Sequence, residues 1–137
     1  MTDLVLDASV ALAWCFKNEA TAAADTVLER LATETASVPA IWHLEIANVL
    51  VMSERRRRIT PANSTEFIAL LETLVIVVDE DTPSRAFGRV LDLAREERLT
   101  AYDAAYVALA EALDAPLLTR DRRLAAASGH RAQIELA

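Results

Sequence analysis

The chain predicts an α/β domain built on a largely parallel β-sheet, and three observations carry that expectation. Short aliphatic or β-branched runs alternate with longer stretches of helical periodicity along the whole sequence. Hydroxyl–proline pairs, Thr60-Pro61 and Thr82-Pro83, punctuate the joins. No low-complexity linker or internal repeat divides the 137 residues, so 1–137 reads as one domain able to bury a real core.

Taken in order, Leu4-Val5-Leu6 reads as a strand ending at Asp7. A helix over 8–16 follows, then a second over about 19–32 with Val27, Leu28 and Leu31 as its stripe. Ser37-Val38 is a brief strand ahead of Pro39, and a long helix over about 39–57 carries Ile41, Trp42, Leu44, Ile46, Val49 and Leu50. Thr60 and Thr82 offer N-cap hydroxyls to helices near 61–73 and 83–97, which flank the β-branched strand 75–78. A helix over 100–113, a strand over 116–119 and a terminal strand over 134–136 complete the alternation.

Composition narrows the function classes. A net charge of −7, from 14 Lys+Arg against 21 Asp+Glu, argues against holding nucleic acid by bulk electrostatics, so any polyanion must be held locally. The single cysteine, Cys15, rules out an intrachain disulfide and fits a reducing compartment. Its apolar surroundings, Val10 to Trp14, suit a buried structural thiol rather than a nucleophile. No basic segment with an apolar stretch opens the chain, and no run approaches roughly 18 apolar residues, so a cytoplasmic protein without a membrane segment is expected.

Four acids stand where strands end or helices begin, each in apolar sequence: Asp7, Glu45, Asp103 and Asp121. A buried carboxylate is costly unless paired or well hydrogen-bonded, and few fixed cations lie nearby in sequence. A divalent metal would resolve the conflict. Asp7 and Asp121 follow strands and should emerge on the carboxyl edge of the sheet, where ligands bind in such folds. Asp103 lies in the first turn of its helix, and Glu45 shares a helix face with Asn48. Carboxylate oxygens suit Mg²⁺, with Mn²⁺ as a substitute, whereas His43 and His130 show no zinc-ligand spacing. Such a cluster can activate water and orient a phosphodiester without a covalent nucleophile. Helix capping is the plain alternative for any one of these acids taken alone.

Two neighbouring chemistries fail on named residues. A haloacid-dehalogenase-like phosphatase needs a second Asp two residues after the first, and Ser9 stands there. A receiver domain needs a late-strand lysine, and Lys17 is the only lysine. The remaining basic residues are arginines, which suit bidentate phosphate contact. Arg55-Arg56-Arg57-Arg58 reads as a solvated helix end or a phosphate contact, whereas Arg120, Arg122 and Arg123 flank Asp121 and are better placed to meet a substrate.

The opening LVLDASVALAW, the Trp42 to Asn48 segment, TAYDAAYVALA and PLLTRDRRL together resemble the PIN domain, specifically the VapC-type ribonuclease toxins, in the right order over nearly the whole chain. The resemblance implies a PIN-like fold and Mg²⁺-dependent cleavage of RNA. It implies Asp7, Asp103 and Asp121 as metal ligands, Glu45 as a water-positioning acid, and Ser9, Asn48 and Thr119 as supporting polar residues. It further implies a homodimer and a cognate protein antitoxin whose segment fills the cleft. A non-catalytic module that holds a partner's arginine in the acidic cleft, or a DNA nuclease, is the alternative.

Overall fold

Five short strands form one parallel sheet in the computed structural model, which describes residues 2–127 and 129–137. They are β1 (Leu4–Leu6), β2 (Ala36–Val38), β3 (Ile76–Val78), β4 (Leu117–Thr119) and β5 (Ile134–Leu136), in the order β3-β2-β1-β4-β5. Val5 in β1 is in register with Ser37 on one side and Leu117 on the other. The three inner strands are buried throughout, as central strands of a parallel sheet covered on both faces should be. Ser37, unremarkable by propensity, is therefore part of an inner strand, because burial between β1 and β3 outweighs its weak intrinsic preference.

Helices flank the sheet: α1 (Ala8–Ala13), α2 (Ala22–Arg30), α3 (Trp42–Arg55), α4 (Pro61–Glu72), α5 (Thr82–Arg85), α6 (Leu91–Glu97), α7 (Ala101–Leu113) and α8 (Arg122–Ala125). The Thr60 hydroxyl caps α4 in a reciprocal box with Asn63, as its sequence implied. The helix α7 is buried over seven consecutive positions, Ala104 to Ala110, and four of these are alanines that let its backbone pack closely against β1 and β4.

Three sequence expectations change. The second helix starts at Ala22 rather than near residue 19, because Thr21 accepts from the Ala24 amide at 3.1 Å and so sets the cap. Lys17–Glu19 forms a separate 3₁₀ turn. Thr82 does not cap a helix: its hydroxyl donates to Asp79 and accepts from the Ala40 amide at 3.2 Å, tying the end of β3 to the approach to α3. The single helix expected over 83–97 is split into α5 and α6 by an irregular turn, Ala86–Val90, where Gly88 leaves helical geometry at φ −108° and ψ −106°. Glycine is a weak helix former, so the break falls there at little cost.

From β1 the chain moves outward to β2 and β3, then returns through α7 to place β4 on the other side of β1. The strand order reverses between β1 and β4. In a parallel sheet a crevice opens at that point beyond the carboxyl ends of the strands.

Candidate active site

Asp7 is the first residue after β1 and Thr119 the last of β4, so the crevice brings them together although 112 positions separate them. The Asp7 amide donates to the Leu118 carbonyl at 3.0 Å, which fixes the backbone. One carboxylate oxygen, Oδ2, accepts from the Ser9 hydroxyl at 2.6 Å and from the Thr119 hydroxyl at 2.7 Å. Those two hydroxyls in turn accept from the amides of Arg120 and Asp121, each at 3.0 Å. Ser9 and Thr119 therefore hold Asp7 and, through the backbone, the turn that carries Asp121.

Asp121 is the N-cap of α8, its Oδ1 accepting from the Arg123 and Leu124 amides at 2.9 and 3.3 Å. Asp103 lies in the first turn of α7, whose N-cap Thr100 accepts from the Asp103 amide at 3.1 Å. Glu45, in the first turn of α3, accepts a 2.5 Å hydrogen bond from the hydroxyl of Tyr106.

Electrostatics shows that the four acids share one neighbourhood. Burial raises the carboxyl pKa of Asp7, which is only 6% exposed; its hydroxyl partners pull it back, and the charge of Asp121 pushes it up further. Burial likewise raises Asp103, with the charges of Asp7 and Asp121 adding to it and Arg123 a partial offset. Glu45 is raised by burial, lowered by the Tyr106 hydroxyl, and raised again by Asp7 and Asp103. Among the described residues, no ion pair engages any of the four.

Such a donor set fits a hard divalent cation: it is all oxygen, carries uncompensated negative charge, and has no His or Cys competing within it. The three acids assigned to the metal are those whose charges act on one another around Asp103, and Glu45 stands beside them. Among the described residues, no group of three His, Cys, Asp or Glu side chains is already drawn to ligand spacing on one point. Like charges facing across a cleft repel, which keeps these carboxylates apart when no cation lies between them.

The other expected residues divide. Asn48 is exposed one turn along α3 from Glu45, and among the described residues no hydrogen bond ties it to the acids. Cys15 is half-buried rather than buried, its thiol pushed up by desolvation and by Glu19. His43 lies edge-on to Trp42 at 4.9 Å, and the His130 ring meets the Ala127 carbonyl. Of the run 55–58, Arg58 shares the Glu19 carboxylate with Arg120, one of the arginines beside Asp121. Tyr106 was overlooked as a site residue. Its position three residues after Asp103 on one helix face was the available signal.

Away from the acids, α3, α4 and β3 enclose a groove of about 420 Å³ lined by Trp42, Ile46, Leu50, Ile68, Leu71 and Ile76. The indole N–H of Trp42 is buried there without a hydrogen-bond partner among the described residues. Among the described residues no helix is long and apolar enough to cross a membrane.

Comparison with known proteins gives the same picture. The family model of the PIN domain matches residues 4–129. The chain is 36% identical over 139 residues to Ribonuclease VapC12 of Mycobacterium tuberculosis, an alignment covering 97% of this chain and 98% of that protein. It is also 46% identical over 70 residues to Ribonuclease VapC1 of the same organism, about half of each chain (50% and 51%). Among solved structures, PAE2754 from Pyrobaculum aerophilum superposes with a TM-score of 0.69 at 26% identity, covering 93% of this chain and 87% of that one. VapBC2 from Rickettsia felis, bound to a DNA fragment from its promoter, superposes with a TM-score of 0.71 at 16% identity over 99% of both chains. With a matching family model over most of its length and a full-length relative, this chain belongs to the PIN domain family.

Proposed function

We propose that this PIN domain is a Mg²⁺-dependent endoribonuclease, the toxin of a toxin–antitoxin pair acting in the cytoplasm. The observation that carries the reading is the set of carboxylates at the β1/β4 crevice: Asp7, Glu45 and Asp103 are raised in pKa by burial and by neighbouring acids, and no ion pair among the described residues engages these three or Asp121. The ribonuclease names of the full-length relatives and the toxin–antitoxin complex from Klebsiella pneumoniae among the fold neighbours support it.

Asp7, Asp103 and Asp121 would hold the ion. When bound, Mg²⁺ supplies Lewis-acid polarisation of the phosphodiester and a lowered pKa for water. Glu45, kept in place by Tyr106, orients the attacking water and takes its proton. Ser9 and Thr119 keep Asp7 from turning, so the ligand geometry is set before substrate arrives. The apolar groove between α3 and α4, with exposed Ile68 in its wall, is a surface for the antitoxin segment. A homodimer completes the proposal.

The test is cleavage of total RNA by the purified, partner-free chain. Cleavage with Mg²⁺ or Mn²⁺ that stops on addition of chelator is expected. Equal cleavage without metal would remove the carboxylate mechanism, and no cleavage under any condition would favour a non-catalytic binding module.

A further inference from the structure

The arginine run at the end of α3 has one member that does more than solvate a helix terminus. The helix closes with Arg57 in the left-handed region at φ 58°, the Arg57 amide donating to Glu54 and the Arg58 amide to Ser53. That closure turns Arg58 away from the helix. Its guanidinium lies 4.2 Å from the centroid of the Phe16 ring and donates to Asn18 Oδ1 at 3.0 Å and to Glu19 Oε2 at 2.9 Å. The other oxygen of the same carboxylate, Oε1, lies 3.5 Å from Nη1 of Arg120. Arg120 belongs to the site: its amide donates to the Ser9 hydroxyl, which donates to Asp7.

Two guanidinium groups from distant parts of the chain thus converge on the two oxygens of one singly charged anion, and one of them belongs to the residue whose backbone amide is tied to Ser9. A phosphodiester presents two non-bridging oxygens, also with one negative charge, at similar spacing. Arginine's planar fork suits it as well as it suits a carboxylate. The cluster has two cations to one anion, in a protein whose overall charge is −7. All three side chains remain reachable, at 43% exposure for Arg58, 34% for Glu19 and 24% for Arg120.

Resting on the ribonuclease reading, we propose that Arg58 and Arg120 form a phosphate clamp that guides an RNA strand to the acid cluster, with Glu19 as the resident anion that keeps the two arginines in register until a phosphate displaces it. The clamp explains how an acidic protein can seat a polyanion locally. It also makes Glu19 a brake on binding as well as an organiser.

The test is binding of a short, fluorescein-labelled single-stranded RNA, read by anisotropy with Ca²⁺ replacing Mg²⁺, over a salt series. Arg58→Ala and Arg120→Ala should each weaken binding about tenfold and reduce the slope of log affinity against log salt by about 0.7, the value for one phosphate contact on a single strand. Arg58→Lys, which keeps the charge over Phe16, should fold as the parent does and still bind more weakly. Glu19→Gln should bind several-fold more tightly with a steeper slope, an outcome that a damaged fold does not produce. Unchanged affinity and slope in both arginine variants overturn the clamp, as does weaker binding by Glu19→Gln. Cleavage of total RNA by the parent with Mg²⁺, run alongside, reports on the ribonuclease reading separately: a parent that cleaves while the arginine variants bind normally loses the clamp alone, and a parent that neither binds nor cleaves loses both.

Discussion

Tyr106 and Glu45 are joined by a 2.5 Å hydrogen bond in which the phenol donates to Oε1, linking α7 to α3 across 61 positions. Tyr106 is fully buried, and both burial and the neighbouring acids push its own pKa well above the usual range, so it serves as a fixed donor. Glu45 thereby stays in the crevice with more anionic character than burial alone would allow.

Tyr106→Phe keeps the ring and removes this donor. The Glu45 pKa, already raised, should rise further, so the acidic limb of the kcat/KM–pH profile moves to higher pH and turnover falls about tenfold. A profile with an unmoved acidic limb would show that Glu45 is not the proton acceptor.

Asp103→Asn should abolish cleavage yet stabilise the metal-free protein by on the order of 1 kcal/mol at neutral pH, because it removes a charge that Asp7 and Asp121 oppose. For Asp7, Glu45 and Asp103 the folded-state pKa is raised, so their contribution to stability is fully present below their unfolded values and is lost as pH rises through the folded ones. Thermal melts of the metal-free parent should accordingly show this loss, and Asp103→Asn should reduce it. Retained metal binding in Asp103→Asn, together with unfolding of Asp7→Asn, would make these acids structural.

Thr119→Val is close to isosteric and leaves Asp7 with one hydroxyl donor fewer, while the Asp121 amide loses its acceptor. The Mg²⁺ concentration for half-maximal cleavage should rise by about tenfold to a hundredfold, the usual cost of losing a group that orients a ligand. Unchanged Mg²⁺ dependence would mean that Asp7 needs no such support.

Glu111, on α7 away from the site, accepts two 2.8 Å bonds from Arg89 and one from the Arg131 amide, and its pKa is lowered to about 2. Its folded value is depressed, so its contribution is present above the ordinary value of 4.5 and fades as pH falls towards 2. Glu111→Gln should cost about 1–2 kcal/mol in urea unfolding at neutral pH, discounted for the partly exposed arginine. The difference from the parent should narrow in acid, and a gap that persists at low pH would assign the loss to packing instead of charge.

Local sequence carries much of this protein. Aliphatic runs bounded by turn residues mark β1, β3 and β4, and strand ends or helix starts mark Asp7, Asp103 and Asp121, because those cues lie within a few residues of the feature they predict. Glu45 was legible as an acid on an otherwise apolar helix, although nothing in its own segment names Tyr106 as its partner. What only the tertiary structure decided is which ends meet. Placing β4 beside β1 brings Thr119 onto Asp7, the burial of α7 brings Tyr106 onto Glu45, and the left-handed turn at Arg57 aims Arg58 at the carboxylate that also holds Arg120. Periodicity records which face of an element is apolar. The pairing of distant faces is chosen by burial of the whole chain, and so no single segment encodes it.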